Sequence, residues 1–312
     1  MIVCLAANPS IDRLFEVDRV VRGETHRPSQ FVQVAGGKGL NAARAAATLG
    51  AEVRAIAILG GHAGRWIAQE LDEEKVPYRA VWIKGETRSS LSVADEASGE
   101  MTEFYERGEE IPRSLWPELL AVLASELSAA GLLTISGSLP PGAPLDGYKQ
   151  IVELAHDMHV RVALDAAGDY LEQALEAGPE AVKINASEAA ALLGLPLGEV
   201  HSGEAASELR SRAGGRGHAA IITLGDQGIV AVAPDGSEWK GSIDARGKYP
   251  VGSGDAFLGG FALALERALP WPKALALALG AAAANAELPG AGQLDPQRAN
   301  ELSGMASTTN TP

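Results

Sequence analysis

Cysteine is almost absent from this 312-residue sequence, which contains only Cys4. A single cysteine excludes an intramolecular disulfide and a zinc site made of several thiolates. Cys4 falls within the apolar run from Ile2 to Ala7, so we expect it to be a buried strand residue. The sequence therefore predicts neither a disulfide-stabilised fold nor thiol chemistry.

Basic residues are also scarce, because 26 Lys and Arg stand against 40 Asp and Glu, for a net charge of −14. Such a chain repels polyanions at long range, which argues against nucleic acid or an anionic membrane as a partner. An anionic small molecule would have to be held by a local cluster of basic side chains and backbone N–H groups.

Long apolar segments are missing too. The longest Ala/Leu-rich stretch, Ala274 to Ala286, is far shorter than the roughly 20 residues that cross a bilayer. No basic segment precedes the first apolar run, so no signal peptide is predicted and we expect a cytoplasmic protein. With 46% hydrophobic and 21% charged residues, the composition is that of a globular chain with ample material for a core.

Short β-branched runs alternate with helical patterns along most of the chain. This alternation predicts an α/β fold with a mostly parallel sheet and helices on both faces. Ligands of such folds bind beyond the carboxyl ends of the strands. The predicted strands are Ile2–Ala6, Val53–Leu59, Gly131–Ile135, Val160–Asp165, Ala181–Ile184 and Ala219–Leu224.

Two regions, at about 14–34 and 89–106, break the alternation. Leu14–Val21 with Gln30–Val34, and Ser89–Asp95 with Glu100–Glu106, have the polar alternation of exposed hairpin strands. We expect them to form a small β-sheet that serves as a lid on one domain spanning residues 1–303. The tail at 304–312 lacks apolar periodicity and is predicted to be disordered.

The segment Gly252-Ser253-Gly254-Asp255 is the strongest chemical signal. Its glycines precede an apolar helix, so backbone N–H groups and the helix start can converge on one anion. A transferring phosphoryl group needs such donors, and a first-turn carboxylate beside them can accept a hydroxyl proton. The alternative is that Asp255 is simply a carboxylate in the first turn of a helix.

A second glycine loop, Gly36-Gly37-Lys38-Gly39-Leu40-Asn41, also joins a strand to a helix. It loosely fits a dinucleotide fingerprint, but no acidic residue lies between Glu52 and Glu70, where that motif requires one. A dehydrogenase is therefore disfavoured. Lys38 is followed by Gly39, so the loop is not a Walker A motif either.

Polar residues follow other predicted strands. Asn185 and Glu188 have the spacing of a capping box, which explains them structurally; they would also suit a hydrated Mg²⁺. The loops Asn8–Asp12 and Ser136–Gly142 are equally consistent with tight turns and with ligand contacts, whereas Thr223–Gly228, taken alone, favours a hairpin turn. Arg27, Lys38 and Arg88 lie next to predicted lid strands or in a glycine loop, where together they could hold an anion.

In this order and spacing, the segments resemble the phosphofructokinase-B family of ribokinase-like carbohydrate kinases. The motifs are N-P-x-x-D from Asn8, G-G-K-G-x-N from Gly36, S-G-S-L-P-P-G from Ser136, N-x-x-E from Asn185, T-L-G-x-x-G from Thr223 and G-S-G-D-A-F from Gly252. The resemblance covers Asn8 to about Gly290. It implies a ribokinase-like α/β core, a β-lid, and the use of ATP and Mg²⁺.

Residue roles follow from the resemblance. Asp255 would be the catalytic base, with an anion hole formed by Gly252, Ser253 and Gly254. The nucleotide would be bound by Lys183, Asn185, Thr223, Gly225 and Gly228. The metal would be organised through water by Asn185 and Glu188. The sugar would be bound by Asp12, Gly36, Gly37, Lys38, Asn41, Ser136 and Ser138.

The opening motif and the Ser136 loop are most similar to the family branch that acts on hexose phosphates. That branch includes 1-phosphofructokinase and tagatose-6-phosphate kinase. Arg88 and Arg27 are similar to its residues that bind the phosphate already on the substrate. The expected activity is phosphoryl transfer to tagatose 6-phosphate, fructose 1-phosphate or fructose 6-phosphate. A kinase of an unphosphorylated sugar or nucleoside, and a non-catalytic sugar or nucleotide sensor, are the alternatives; a homodimer through the lid is also expected.

Overall fold

The structure, a computed structural model, describes residues 1–196 and 201–311. A ten-stranded sheet forms the centre of this part of the chain. In spatial order its strands are β5 (Tyr78–Ile83), β4 (Val53–Gly60), β1 (Ile2–Ala6), β8 (Leu132–Ser136), β9 (Arg161–Asp165), β10 (Ala181–Asn185), β11 (Ala219–Thr223), β12 (Ile229–Val232), β13 (Glu238–Ser242) and β14 (Ser307–Thr311).

Strands β5 to β11 of this order are parallel, and β12, β13 and β14 continue the sheet by antiparallel pairing. The mostly parallel sheet predicted from the sequence is confirmed. Both faces of these strands are covered by helices. Their sequences are therefore mostly apolar and do not alternate between polar and apolar residues. The hairpin favoured at Thr223–Gly228 is the turn between β11 and β12, but the edge strand β5 and the strands β13 and β14 were not predicted.

Helices cover both faces of the sheet. One side carries α1 (Lys38–Thr48), α2 (Gly61–Glu73), α8 (Ser253–Glu266) and α9 (Trp271–Ala286), and α10 (Pro296–Met305) packs on α9. The other side carries α3 (Leu115–Leu127), α4 (Gly147–Asp157), α5 (Gly168–Leu175), α6 (Ala186–Leu193) and α7 (Ser202–Arg212). In the described residues, none of the helices has both the length and the apolarity needed to cross a membrane.

A separate four-stranded sheet forms the lid. Its spatial order is β3 (Gln30–Gly36), β2 (Ser10–Val17), β6 (Arg88–Asp95) and β7 (Met101–Tyr105). The hairpin pairs are those expected, but β2 begins at Ser10 and ends at Val17, four residues earlier than predicted. Residues 18–21 are exposed and unpaired with the sheet because the neighbouring strand β6 ends opposite Val17.

The lid is bound to the body by a buried carboxylate. Glu16 of β2 is 4% exposed and accepts hydrogen bonds from the Lys248 ammonium at 3.0 Å and the Tyr249 hydroxyl at 2.6 Å. Burial alone would raise the pKa of Glu16, but these two donors outweigh it and lower the pKa. Glu16 is therefore charged at neutral pH and holds the lid against the segment that leads into Gly252.

The prediction of a disordered tail at 304–312 is wrong for the described residues. Helix α10 extends to Met305, and Ser307–Thr311 form β14, which pairs with β13 from Glu238↔Thr311 to Ser242↔Ser307. The tail has little apolar character because it is an edge strand held by backbone hydrogen bonds. Pro312 lies outside the described residues.

The carboxyl ends of β1, β8, β9, β10 and β11 meet at one edge of the central sheet, and the lid stands over that edge. Along the chain, strands are added on one side of β1 as far as β5 and then on its other side from β8 onward. Ligand sites of parallel α/β folds form at such a reversal of strand order.

Candidate active site

A cavity of about 1220 Å³ lies between this edge of the sheet and the lid. Most of the residues selected from the sequence line it. They are Asp12, Gly37, Lys38, Asn41, Arg88, Ser136, Ser138, Lys183, Asn185, Thr223, Gly225, Gly228, Gly252, Ser253, Gly254 and Asp255. Seven separate chain segments therefore contribute to one space large enough for two ligands.

The start of α8 has free backbone donors where the sequence predicts an anion site. Gly252 is the N-cap residue with φ 83°, a left-handed conformation that favours glycine, and no side chain caps the helix. The Ser253 N–H donates to Pro250 O at 3.1 Å, whereas the N–H groups of Gly252 and Gly254 have no acceptor within the described parts of the chain. The free donors of the predicted anion hole are thus the two glycine amides, and the amide of Ser253 is already used.

Asp255 stands in the first turn of this helix and is 7% exposed. Its Oδ2 accepts a hydrogen bond from Asn41 Nδ2 at 2.9 Å. Burial raises the pKa of Asp255 to about 6, although Lys38, Asn41 and Lys183 act in the opposite direction. A carboxylate with that pKa is deprotonated at neutral pH and still basic enough to take a proton from an alcohol as its oxygen is phosphorylated.

Two lysines and a fully buried carboxylate lie beside Asp255. Lys183 Nζ is 2.7 Å from Asp165 Oδ2, and Lys38 Nζ is 3.5 Å from Asp165 Oδ1. Burial would raise the pKa of Asp165, but the two ammonium groups outweigh it and lower the pKa. A Cβ atom on Gly254 would lie 2.9 Å from Lys183 Nζ, so this ammonium borders the anion site directly.

Asn185 and Glu188 form the capping box that their spacing predicts. The Asn185 side chain accepts from Glu188 N at 2.9 Å, and Glu188 Oε2 accepts from Asn185 N at 2.8 Å. Glu188 Oε1 also lies 3.4 Å from Lys38 Nζ. Residues 1–196 and 201–311 contain no group of three His, Cys, Asp or Glu side chains able to hold a metal. Carboxylate and amide oxygens are the ligand type that Mg²⁺ prefers, and these could hold it through its waters.

Asp12 is fixed by the lid and the first glycine loop. Its Oδ1 accepts from Ser10 Oγ at 2.5 Å and from Ser90 Oγ at 2.6 Å, and its Oδ2 accepts from Gly37 N at 2.9 Å. Any Cβ on Gly36 would collide with this carboxylate, which explains the first glycine of the pair. Asp12 is thus rigid and retains acceptor capacity for sugar hydroxyls.

Arg88 begins strand β6 at the lid side of the cavity. Its guanidinium donates twice to Asn8 O, at 3.1 and 3.2 Å, and once to Glu106 O at 3.3 Å. Three of its five N–H groups are used in this way, and the other two have no partner in the described residues. Its guanidinium plane is therefore fixed, with donors left for an anion.

The opposite end of the cavity is mostly apolar. The 3₁₀ turn Gly225–Gln227 joins β11 to β12, and Gly228 follows with φ 93°. A Cβ atom at this position would also collide with Gly241 O of β13. The wall beyond this turn is made of small and aliphatic side chains, namely Ile229, Ile243, Leu279, Ala282, Ala283 and Ala286. A flat heteroaromatic base would fit such a surface.

Ser136 provides a further sign of a ligand site. It is 3% exposed, lines the cavity at the end of β8, and its Oγ has no hydrogen-bond partner in the described parts of the chain. A buried hydroxyl without a partner is destabilising unless a ligand or water satisfies it. Ser138 Oγ, in contrast, accepts from Asn8 Nδ2 at 3.1 Å.

Three of the predicted residues are not among those lining the cavity. Gly36 packs against the Asp12 carboxylate on the side away from the cavity. Glu188 contacts Lys38, which does line the cavity. Arg27 lies in the exposed connection between β2 and β3, so the structure does not bring it to the cavity of its own chain. The predicted contact between Arg27 and the substrate is therefore not supported within one chain. The position of a residue in an exposed loop cannot be inferred from sequence alone.

The sequence prediction missed three buried polar residues. Asp165 closes β9, Arg44 lies within α1, and Asn285 lies near the end of α9. Asn285 Nδ2 donates to Val251 O at 3.0 Å and its Oδ1 accepts from Gly292 N at 2.7 Å, so it links two loops behind the anion site. Each is a single polar residue in a mostly apolar segment. The only sequence signal for it is that a polar residue occupies a position where a core residue is expected.

Comparison with known proteins agrees with this geometry. Phosphofructokinase-2 from Escherichia coli superposes with a TM-score of 0.88 at 28% identity, over 97% of this chain and 98% of that chain. A possible 1-phosphofructokinase from Thermotoga maritima has a TM-score of 0.87 at 19% identity over 100% of both chains, which shows a shared fold. The fold is therefore ribokinase-like.

The sequence model of the pfkB family carbohydrate kinases matches residues 3–298 of this chain. That range includes the lid, both glycine loops and Asp255 with its helix. With the family match, the superposition and the cavity in agreement, the chain belongs to the pfkB family of carbohydrate kinases.

Proposed function

We propose that this protein transfers the γ-phosphoryl group of ATP to a hydroxymethyl group of a hexose phosphate, giving a bisphosphate. The observation that carries the proposal is one cavity with two separate groups of free N–H donors. Asp255 and the free amides of Gly252 and Gly254 lie at its centre, and Arg88 with two free N–H groups lies at its lid side.

In the proposed reaction, Asp255 accepts the proton of the sugar hydroxyl as that oxygen attacks the phosphorus atom. The amides of Gly252 and Gly254, together with Lys183, stabilise negative charge on the transferring group. A Mg²⁺ ion, held through water by Asn185 and Glu188, would neutralise charge on the ATP phosphates. Asn41 keeps the Asp255 carboxylate oriented by its 2.9 Å hydrogen bond.

The lid side of the cavity would orient the sugar and exclude water. Asp12 would accept hydrogen bonds from sugar hydroxyls while its own position is fixed by Ser10, Ser90 and Gly37. The lid closes over the base, so a water molecule would be kept from attacking ATP in place of the sugar. Lys38 is held between Asp165 and Glu188, so its ammonium lies beside the carboxylates of the site.

Arg88 supports a phosphorylated substrate because a planar guanidinium pairs bidentately with phosphate oxygens. Escherichia coli phosphofructokinase-2 has been solved with fructose-6-phosphate, which makes fructose 6-phosphate a first candidate alongside tagatose 6-phosphate and fructose 1-phosphate. Glu103 and Glu106 line the same wall of the cavity. Their charge would repel a dianion, and this favours an unphosphorylated sugar as the second candidate.

A substrate panel tests the proposal. Fructose 1-phosphate, fructose 6-phosphate, tagatose 6-phosphate, ribose and adenosine would each be offered with Mg-ATP in an assay coupled to ADP release. We expect at least one hexose phosphate to exceed both free compounds in kcat/KM by about 100-fold, the scale of two charge-assisted hydrogen bonds. Preference for ribose or adenosine would support the second candidate, and ADP release without any acceptor dependence would contradict a sugar kinase.

We also propose a homodimer through the outer face of the lid. Phe15 and Phe31 are paired across β2 and β3 with ring centroids 5.5 Å apart, and Phe31 and Phe104 are 54% and 59% exposed. Escherichia coli phosphofructokinase-2, which covers 97% of this chain, has a tetrameric form, so self-association occurs in a similar protein. An apolar lid face would be covered by the lid of a second copy.

Light scattering after gel filtration tests the dimer. The native chain is expected to have the mass of two chains, and Phe31→Asp/Phe104→Asp that of one. Met305→Asp is the matched control, because Met305 is also 59% exposed but lies on α10. A single-chain mass for the native protein, or an unchanged dimer in the double variant, would contradict this interface.

A further inference from the structure

Arg44 is a buried arginine one helical turn beyond Asn41 in α1. It is 3% exposed, and four of its N–H groups are bonded within the protein. Its Nε donates to Glu74 at 2.9 Å, and its Nη1 donates to Asn41 Oδ1 at 3.3 Å and to Ala291 O at 3.2 Å. Its Nη2 donates to Ala35 O.

The contact with Asn41 determines how that amide is oriented. A guanidinium has donors and no acceptor, so Asn41 must present its oxygen to Arg44. The amide nitrogen of Asn41 is then directed to the other side, where it donates to Asp255 Oδ2 at 2.9 Å. If the amide were reversed, an N–H group would face the guanidinium and the Asn41 oxygen would face a carboxylate.

The contact with Ala291 acts on the anion site. A Cβ atom on Gly252 would lie 2.6 Å from Ala291 Cα, so the backbone of residues 291–292 lies directly behind the glycine turn. Arg44 holds Ala291 O from one side, and Asn285 holds Gly292 N at 2.7 Å from the other. The position of Gly252 therefore depends on a segment that Arg44 fixes.

We propose that Arg44 is a positioning residue for phosphoryl transfer, acting through Asn41 on the base and through Ala291 on the anion site. The inference rests on the proposed kinase function. A lysine could keep the charge opposite Glu74, but its single ammonium could not satisfy four acceptors in one plane. Glu74 balances the charge of Arg44 without touching Asn41, Asp255 or the glycine turn.

The decisive variants are Arg44→Lys and Arg44→Met, with Glu74→Gln as the matched control. In both arginine variants we expect kcat to fall by about 10- to 100-fold, the scale of a misplacement of about 1 Å, while KM for ATP and for the hexose phosphate stays within about 3-fold. Glu74→Gln keeps an acceptor for Arg44 and should keep kcat within about 3-fold. Thermal melts and the folded fraction are measured for each protein.

The pH profile separates positioning from a merely structural role. The charged or titratable groups that face Asp255 are Lys38 of α1, Asp165 of β9, Lys183 of β10 and Tyr105 of β7. All of them remain in the variants, whereas the Asn41 donor, which lowers the pKa of Asp255, loses its fixed direction. The acid limb of kcat should therefore move to higher pH by about one unit, equivalent to loss of one charge-assisted hydrogen bond.

Each outcome decides the question. Reduced kcat with a shifted acid limb in a folded Arg44→Lys protein supports the inference. If the native enzyme is active and both variants keep the native kcat, the inference is overturned while the proposed function stands. The same holds if the folded fraction alone explains their losses. If neither variant folds, Arg44 serves folding and the inference is wrong. A native chain without kinase activity on the whole panel overturns the proposed function and this inference with it.

Discussion

Asp255→Asn is expected to lower kcat at least about 100-fold, the scale of losing a general base. Asparagine has nearly the same shape as aspartate and can still accept the hydrogen bond from Asn41. The amides of Gly252 and Gly254 are unaffected, so nucleotide binding should remain within about 3-fold of the native value. Steady-state kinetics with the preferred sugar phosphate and calorimetric titration with a non-hydrolysable ATP analogue measure the two effects.

The same substitution should make the protein more stable. Burial raises the pKa of Asp255 to about 6, above the ordinary value of 3.8, so the charged form is disfavoured in the folded state. A raised carboxyl pKa means that stability is complete at low pH and is lost as pH rises through about 6. Removing the charge should therefore increase the free energy of unfolding at pH 8 by about 1 to 3 kcal/mol.

Denaturant titration at pH 8 and at about pH 3 tests the sign, because the gain should be absent below the unfolded-state pKa of 3.8. The native enzyme should also lose activity as pH falls below about 6, when Asp255 becomes protonated. A variant with full activity would contradict the role of base. A variant that is inactive and also less stable at pH 8 would indicate that Asp255 supports the fold more than the chemistry.

Arg88→Gln is expected to raise KM for the hexose phosphate by at least about 100-fold. The variant loses two fixed donors that would bind the substrate's phosphate, and charge-assisted hydrogen bonds contribute about 1.5 to 3 kcal/mol each. The KM for ATP should change little, because Arg88 lies at the lid side, far from the apolar end formed by Ile243 and Ala283. Initial rates with each substrate varied in turn measure the effect.

Arg13→Gln is the matched control for Arg88. It removes a guanidinium from the same lid, but on the face opposite the cavity, where Arg13 Nε donates to Gln33 at 3.0 Å. Native kinetics are expected for this control. Equal losses with phosphorylated and free sugars in Arg88→Gln would mean that Arg88 only supports the Asn8 segment, which would count against a phosphorylated substrate.

The core of the fold could be predicted because its signals are local. Val53–Leu59 and Ala181–Ile184 are apolar runs that must be buried on both faces, and both are strands of the parallel sheet. The antiparallel end could not be predicted in the same way. Ser307–Thr311 has no apolar period, and it is a strand only because β13 offers unpaired backbone groups at the sheet edge. Its pairing is a tertiary effect with no trace in its own composition.

The site follows the same division. Gly252, Gly37 and Asn185 are visible in sequence because turns and caps restrict residue types at fixed spacing. Arg44, Asp165 and Asn285 carry no such spacing, and their partners lie far along the chain. Asp165, for example, pairs with Lys38, 127 positions away. Arg27 differs from these, since a basic residue near a lid strand suggested a substrate contact, and Arg27 is exposed and not among the residues that line the cavity.

The charges around the transfer position have a consequence for how substrates arrive. Three carboxylates, Asp165, Asp255 and Glu188, lie beside two ammonium groups, Lys38 and Lys183, which is one negative charge in excess within a chain of net charge −14. Both proposed substrates are anions, so the long-range field of the protein slows their approach, and capture depends on short-range donors inside the cavity. Dissolved ions screen the distant repulsion more strongly than those buried contacts. Moderate ionic strength should therefore speed substrate capture, the reverse of what is expected for proteins that attract phosphates through a positive surface.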